Sequence, residues 1–359
     1  MSNKQGAGLS NALIIRADAN AEMGAGHLMR CLALAQAWKD AGGGATFITA
    51  CQNEDLLQRL REEGFDIHLL TQPYPDPSDC DYTKDILAGY PSAWIVLDGY
   101  HFNEVYQQQV KELGHRLLVI DDMAHLKHYY ADIVLNQNLH AEQLQYSCEP
   151  YTRLLLGTRY VLLRREFLAW KDWRREIPEV ARRVLVTLGG GDPENHTLKV
   201  IQALQKLNIP DLEATVIIGA SNPHAGVLEA AARQSHIPVC LIRDARNMPE
   251  LMAWADMGIS GGGSTSLEIA YMGLANCTIV LANNQAQLAQ AMQQRGMTIN
   301  LGPYQSVDRV AMAQTIIDLA KRSELRREMS QRGQQLVDGN GGQRVVATIL
   351  EKSRETVEI

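Results

Sequence analysis

Short apolar runs alternate with amphipathic stretches along this chain, a pattern typical of β-α-β units built around a parallel sheet. In the first half, the apolar runs predict six strands: Ala12–Arg16, Ala45–Ala50, Ile67–Leu70, Trp94–Leu97, Leu117–Ile120 and Ile133–Leu135. Helical periodicity between them predicts helices over His27–Ala41, Glu54–Glu63 and Asn103–Leu113. The first half therefore predicts one doubly wound α/β domain.

The second half repeats this scheme. Its apolar runs predict strands over Val184–Thr187, Ala214–Ile218, Val239–Leu241, Met257–Ile259 and Thr278–Val280. Its amphipathic stretches predict helices over Asn195–Leu207, Pro223–Gln234, Met248–Ala255, Ser266–Met272 and Asn284–Gln294. Two such halves predict an α/β fold of two Rossmann-like, doubly wound domains that face a central cleft.

A charged segment, Arg164–Arg183, connects the two halves and carries Trp170 and Trp173. Its arginines and glutamates favour a solvated connecting helix or linker over a core element. The predicted division is residues 1–176 for the N-terminal domain, 177–335 for the C-terminal domain and 336–359 for a helical tail. From Val307 onward the pattern predicts two helices, with a turn at Gly339–Gly342 between them.

The bulk composition is that of an ordinary globular protein, with 359 residues, 46% hydrophobic and 21% charged. The net charge of -7 argues against bulk attraction to nucleic acid or to anionic lipid. Six scattered cysteines without metal-ligand spacing indicate reduced thiols and no metal site. The first residues lack the apolar core of a signal peptide, and no apolar run reaches the roughly 18 residues of a bilayer span. We expect a cytoplasmic monomer without stable membrane association.

A glycine-rich loop follows the first predicted strand and opens the first helix. Gly24 and Gly26 allow backbone amides to approach an anion, and His27 begins the helix. The positive end of the helix dipole should keep this imidazole neutral, as a general base requires. A role for His27 in capping or packing stays open. Arg30 shares a helix face with His27, and it could equally form a surface or interdomain ion pair.

A second glycine-rich loop, Gly261–Gly263, follows a strand of the second half and precedes Ser264 and Thr265. Three consecutive glycines cost backbone entropy, so they need a reason, and a diphosphate seated on their amides supplies one. Glu268 on the first helical turn could then accept hydrogen bonds from both ribose hydroxyls. The alternative is a capping box, which explains the serine and the glutamate but not the glycines.

Other polar residues follow strands where a cleft would lie. They are Asp98 and Tyr100, the pair Asp121 and Asp122, Asn138, Gly190, and Asn284 with Gln285. Carboxylates at strand ends commonly line clefts, although they also cap helices, and Asn138 could simply form a turn. Because Asp121 and Asp122 are neighbours, their side chains should diverge, so that only one need face the site.

The order of these motifs resembles a known family over about Leu13 to Leu350. The segments that carry the resemblance are Gly24–Cys31, Asp98–Tyr100, Asp121–Asp122, Asn136–Asn138, Gly189–Asp192, Ile259–Glu268 and Asn284–Gln285. The family is the UDP-2,4-diacetamido-2,4,6-trideoxy-β-L-altropyranose hydrolases of pseudaminic acid biosynthesis. The resemblance implies a GT-B fold, similar to the N-acetylglucosaminyltransferase that makes lipid II. It also implies water attack at C1 with inversion, release of UDP, and no cofactor or metal.

The resemblance implies a role for each matching residue. His27 is the base or positions the water, and Tyr100 and Asn284 are the other catalytic residues. The expected sugar ligands are Gly26, Arg30, Asp98, Asp122, Asn138 and Gln285. The expected UDP ligands are Gly190, Ile242, Arg243, Gly263, Ser264, Thr265 and Glu268.

Two positions depart from the family pattern, which often has proline at Asn276 and an acid at Asn283. The second departure affects sugar specificity rather than the type of reaction. A glycosyltransferase that needs an acceptor, and a sugar-nucleotide-binding protein without turnover, are the other hypotheses.

Overall fold

The computed structural model describes residues 12–20, 23–219 and 222–355. The expectation about the first residues of the chain lies outside this range, as do residues 356–359 of the predicted tail.

The first sheet has seven parallel strands: β1 (Ala12–Ala17), β2 (Gly44–Thr49), β3 (Asp66–Leu69), β4 (Trp94–Asp98), β5 (Arg116–Ile120), β6 (Ile133–Asn136) and β7 (Arg153–Leu156). Their spatial order is β3-β2-β1-β4-β5-β6-β7. The helices of this half are α1 (Gly26–Asp40), α2 (Glu54–Glu62), α3 (Pro77–Leu87), α4 (Glu104–Glu112) and the short α5 (Arg165–Leu168). The six predicted strands and three predicted helices are present.

The prediction missed β7 and α3, for different physical reasons. β7 is an edge strand with two of its four residues exposed, so it lacks the buried apolar run of the central strands. α3 follows a proline-rich segment that is typical of a loop. Asp76 caps it by accepting a hydrogen bond from the amide of Ser78, and Pro77 occupies its first turn, where proline is tolerated.

The second sheet has six parallel strands: β8 (Arg183–Thr187), β9 (Glu213–Ile218), β10 (Val239–Arg243), β11 (Met257–Gly261), β12 (Asn276–Val280) and β13 (Thr298–Pro303). Their order is β10-β9-β8-β11-β12-β13. The helices are α6 (His196–Leu204), α7 (Ala225–Arg233), α8 (Met248–Trp254), α9 (Thr265–Tyr271), α10 (Ala286–Gln294), α11 (Arg309–Lys321), α12 (Ser323–Leu336) and α13 (Gly341–Arg354). The predicted class, two doubly wound α/β domains, is confirmed, and β13 is an addition to it.

The prediction of two helices after Val307 was wrong, because three are present. The extra break falls at Arg322, whose backbone leaves the helical region, and no glycine or proline marks it in the sequence. The last helix, α13, returns to the first domain. Val345, Val346 and Ile349 are buried there among residues of β1 and α1.

The connecting segment has the irregular and largely exposed backbone of a linker between residues 169 and 182, but several of its side chains anchor it to the second domain. Phe167 is fully buried in a cluster of the second domain, and Trp170 and Trp173 pack against that cluster. Arg175 donates hydrogen bonds to the carbonyl oxygens of Met252 and Ala255, so its charge is satisfied by backbone rather than by water.

Each sheet reverses its strand order once, between β1 and β4 in the first domain and between β8 and β11 in the second. Loops at the carboxyl ends of two such strands separate from each other and leave a crevice, where ligands of doubly wound sheets bind. Both glycine-rich loops predicted as functional lie at these two reversals.

Candidate active site at the interdomain cleft

The glycine-rich loops of the two domains approach each other across the cleft. A methyl group added at Gly26 would lie 3.5 Å from Ser264 Oγ, and one added at Gly190 would lie 3.7 Å from the amide nitrogen of Ala25. Gly24 has a φ of +73°, a conformation that a side chain would strain, so this glycine allows the turn into α1. Predicted sugar and UDP residues from both domains therefore meet in one crevice.

His27 lies in the first turn of α1 and contacts a carboxylate. Its Nδ1 atom is 2.6 Å from Oδ1 of Asp98, which ends β4. Asp98 is completely buried, and its pKa is lowered; burial by itself would raise it, but the Arg30 and His27 charges outweigh that effect. A carboxylate on Nδ1 favours the tautomer that leaves Nε2 free to accept a proton. The N-cap of α1 is Ala25, so His27 is not the cap.

Arg30 lies beneath His27 and joins two carboxylates. It donates through Nε and Nη2 to Asp98 at 2.6 and 2.7 Å, and through Nη1 to Asp122 at 2.8 and 2.9 Å. Asp98, an expected sugar ligand, is fully buried, and its two oxygens contact His27 and Arg30. Arg30 forms buried ion pairs within the first domain, rather than the surface or interdomain pair of the alternative.

Tyr100 connects this cluster to the second domain. Its hydroxyl donates to Oδ2 of Asp122 at 2.6 Å and accepts from Nδ2 of Asn284 at 3.0 Å. Its ring meets that of His27 edge to face, with centroids 4.9 Å apart. The burial of Tyr100 and its proximity to Asp122 raise its pKa far above the ordinary range, so it acts as a neutral hydrogen-bonding group. Asn138 also contacts Asp122, through Nδ2 at 2.7 Å.

Asp121 and Asp122 diverge, as predicted. Asp122 faces Arg30 and Tyr100, whereas Asp121 accepts hydrogen bonds from the amides of Met123 and Ala124 at 2.9 and 2.7 Å. Asp121 also contacts His125, Tyr129 and Tyr146. Ala124 has a φ of +51°, a conformation that is uncommon for alanine, and this turn directs the two carboxylates to opposite sides.

In the second domain, Gly263, Ser264 and Thr265 form a partly exposed turn at the start of α9. Gln285 braces this turn, because its Oε1 accepts from the amides of Gly262 and Leu281, both at 3.0 Å. The capping-box alternative is not observed among the described residues. Ser264 makes no side-chain cap, and Glu268 pairs with Arg164 at 3.0 Å.

A cavity opens beside the first loop and is lined by residues of both domains. Ala25 and Leu56 line it from the first domain, and Gly190, Gly219 and Asp244 line it from the second. Ile242 packs partly into an apolar cluster, and Arg243 is exposed. The next residue, Asp244, is the one that lines the cavity.

Two features of the site were missed from the sequence. The contact of Asp98 with His27 joins residues 71 positions apart, and only the sheet order brings them together. Arg164 belongs to the charged segment that is predicted to be solvated, although its side chain is only 8% exposed. One signal for the Asp98–His27 contact was available in the sequence. One strand ends in an acid, and the strand beside it is followed by a histidine.

Within the described ranges, no helix is long and apolar enough to cross a membrane. The same ranges contain no group of three or more histidine, cysteine, aspartate or glutamate side chains that could hold a metal ion.

Comparison with protein families matches residues 183–340 to the glycosyltransferase family 28 C-terminal domain. The chain is 25% identical over 285 residues to the uncharacterized protein MJ1062 of Methanocaldococcus jannaschii. This match covers 77% of the chain and 56% of the archaeal protein, so the chain spans just over half of that relative.

Two further relatives are matched over nearly their whole length. The spore coat polysaccharide biosynthesis protein SpsG of Bacillus subtilis is 24% identical over 341 residues, covering 94% of this chain and 97% of SpsG. The UDP-2,4-diacetamido-2,4,6-trideoxy-β-L-altropyranose hydrolase of Campylobacter jejuni is 25% identical over 292 residues, covering 80% and 98%.

Solved structures share the whole architecture. MurG of Acinetobacter baumannii superposes with a TM-score of 0.65 at 15% identity, covering 95% of this chain and 99% of MurG. The calicheamicin glycosyltransferase CalG4 gives a TM-score of 0.63 at 13% identity, covering 97% and 99%. The chain therefore has the GT-B fold that its motifs predicted.

Proposed function

We propose that this protein hydrolyses a UDP-linked 2,4-diacetamido-2,4,6-trideoxy sugar at C1, with inversion, and releases UDP and the free sugar. The observation that carries the proposal is the contact of His27 Nδ1 with Asp98 at 2.6 Å, beside a cleft whose opposite wall is the second glycine-rich loop. The likeness to the Campylobacter jejuni hydrolase over 80% of the chain supports the choice of substrate.

In the proposed reaction His27 acts as the general base. Its Nε2 takes a proton from water as the oxygen attacks C1, and the bond from C1 to the β-phosphate oxygen breaks with its electrons on UDP. Asp98 and Asp122 carry two negative charges and Arg30 carries one positive charge, so the cluster has one net negative charge. This charge compensates the positive charge of the imidazolium that forms. A single displacement from the face opposite UDP inverts the anomeric centre.

UDP would bind to the second domain. The amides of Gly263, Ser264 and Thr265 are suited to the diphosphate, and they would stabilise the charge that develops on the leaving group. Glu268 would accept from the ribose hydroxyls. We assign uracil to the cavity near Ile242, Arg243 and Gly190, where Gly190, Gly219 and Asp244 form the wall that the second domain contributes.

The sugar would lie between Tyr100, Asn284 and Asn138, with Gly26 leaving room for it beside His27. Arg30, Asp98 and Asp122 would support these groups from below rather than bind the sugar, since they are engaged with one another. Gln285 would act in the same indirect way through the amide of Gly262.

The decisive experiment is incubation of the purified protein with the cognate UDP-sugar in the absence of any acceptor, with UDP release followed by chromatography. Release without acceptor supports hydrolysis, and no release rejects it. Product anomers read by proton NMR at early times should show inversion.

A glycosyltransferase on the same fold is the second candidate. It is favoured by the match of residues 183–340 to the family 28 domain and by the superposition on CalG4. Turnover that depends on an added acceptor would select it. For either activity we propose one catalytic unit of two domains, residues 1–176 and 177–335, with residues 336–359 as its tail. We expect a monomer, which light scattering tests.

A further inference from the structure

Glu268, the expected ribose ligand, forms an ion pair with a residue of the connecting segment. Its Oε1 lies 3.0 Å from Nη1 of Arg164, a residue just before α5 in the segment that connects the domains. Both side chains are largely buried, with 8% of Arg164 and 13% of Glu268 exposed. Arg164 also donates through Nε to Oε1 of Glu166 at 2.7 Å, and its guanidinium carbon lies 5.1 Å from the centroid of the Phe167 ring.

The chain of charges continues into the first domain. Glu166 accepts a second hydrogen bond from Arg59 of α2. Leu56, on the same helix, lines the cavity shared by the domains, opposite Gly190 and Asp244. Glu268 is thus one end of a row of alternating charges that runs from α9 to α2.

We infer that Arg164 is a positioning residue that presents the carboxylate of Glu268 to the ribose hydroxyls of a nucleoside diphosphate. This inference rests on the proposed function, because it takes Glu268 as the ribose ligand. The guanidinium of Arg164 contacts Oε1 of Glu268 and is itself held by Glu166, which restricts rotation of the Glu268 carboxylate and would leave its other oxygen for the ribose.

Electrostatics support this role. Burial raises the pKa of Glu268, and the positive charge of Arg164 opposes that shift. Without Arg164 the buried carboxylate would lose its compensating charge, and it would protonate or turn away, so it would accept hydrogen bonds from the ribose poorly.

The test compares UDP with 2′,3′-dideoxy-UDP, using calorimetric Kd values for the wild type, Arg164→Gln, Glu268→Gln and the double variant. The Arg164→Gln variant should weaken UDP binding about tenfold or more, but weaken 2′,3′-dideoxy-UDP binding much less, because the lost interaction is a charge-assisted hydrogen bond to the ribose hydroxyls. The double variant should bind UDP as Glu268→Gln does. The matched control is Arg165→Gln, since Arg165 is exposed and pairs with Glu63 and Asp40 instead.

Equal weakening of both ligands by Arg164→Gln would overturn the inference in favour of direct contact with phosphate. Additive losses in the double variant, or unchanged UDP binding, would overturn it as well. If Arg164→Gln does not fold, Arg164→Lys is compared in the same way. The ammonium of lysine lacks the two separate N–H groups, Nε and Nη1, with which the guanidinium contacts Glu166 and Glu268. Failure of the wild type to bind UDP would instead reject the proposed function.

Discussion

Tyr100 and Asn284 lie 184 positions apart in the chain, yet the Tyr100 hydroxyl and the Asn284 amide nitrogen are 3.0 Å apart across the cleft. One residue follows β4 of the first domain, and the other precedes α10 of the second. Since the same hydroxyl donates to Asp122, the second domain is joined directly to the cluster around His27. The contact across the cleft and the surroundings of His27 are therefore linked through one side chain.

Removal of this hydroxyl should reduce turnover without loss of the fold. Tyr100→Phe keeps the ring contact with His27 but loses two hydrogen bonds, so we expect kcat/KM to fall by roughly 5- to 20-fold, or about 1–2 kcal/mol. Asn284→Ala should cost a similar factor, and steady-state kinetics of the double variant should show little further loss. Fully additive effects would mean that the contact across the cleft plays no part in turnover.

Loss of the imidazole should separate catalysis from nucleotide binding. In His27→Asn we expect kcat to fall by about 10²–10⁴, because general base assistance is removed, while the Kd for UDP stays within a few-fold. Single-turnover assays and calorimetry measure the two quantities. His128→Asn is the control, since His128 lies at the surface with Ser147 and Glu149. If kcat of His27→Asn stays within a few-fold of the wild type, His27 is not the base.

Neutralising Asp98 should cost stability as well as activity. Asp98→Asn keeps the side-chain volume, but it leaves the buried guanidinium of Arg30 with one carboxylate partner fewer, so we expect a loss of about 3–5 kcal/mol in the free energy of unfolding. Urea denaturation measures it. Asp81→Asn, at an exposed carboxylate near Lys84, should change it by under about 1 kcal/mol. Equal losses in the two variants would show that the buried cluster contributes little.

The same cluster should make the protein sensitive to acid. The pKa values of Asp98 and Asp122 are both lowered from the ordinary value of 3.8 in the folded protein, mainly because the charge of Arg30 outweighs the cost of burial. Their stabilisation is present above pH 3.8 and is lost progressively as the pH falls through the folded pKa values. Urea midpoints measured from pH 6 to pH 3 should therefore decrease most below about pH 4.

The pH profile has its own control. Asp122→Asn removes one of the two lowered carboxyl groups, so its stability should fall less steeply between pH 4 and pH 3 than that of the wild type. Identical slopes for the two proteins would argue that other carboxylates dominate the response to acid.

The last helix should behave as part of the first domain's core. Val345→Ala removes two buried methyl groups from a fully buried position, and we expect it to cost about 2–3 kcal/mol of unfolding free energy. Val310→Ala is the matched control, because Val310 is 64% exposed on α11, and it should cost under about 0.5 kcal/mol. Similar values for the two substitutions would mean that α13 packs only loosely on α1.

Local pattern predicted the elements best where burial was uniform. Strands such as β4 and β11 are buried throughout, so their apolar runs are visible in the sequence. The edge strand β7 and the break at Arg322 depend on neighbours that the local sequence does not contain. The charge of the connecting segment does not show that Arg175 is anchored to carbonyl oxygens of the second domain.

The linear sequence was enough to predict two doubly wound domains and to propose His27, Tyr100, Asn284 and Glu268 as candidate site residues, because glycines, strand ends and helix starts are local features. Tertiary structure alone decided that Asp98 contacts His27, that Arg164 contacts Glu268, and that Arg30 lies between carboxylates rather than at the surface. These pairings depend on strand order and on how the two domains meet. The energy of these contacts depends on charges that are buried next to each other, and no short stretch of sequence shows which charges become neighbours.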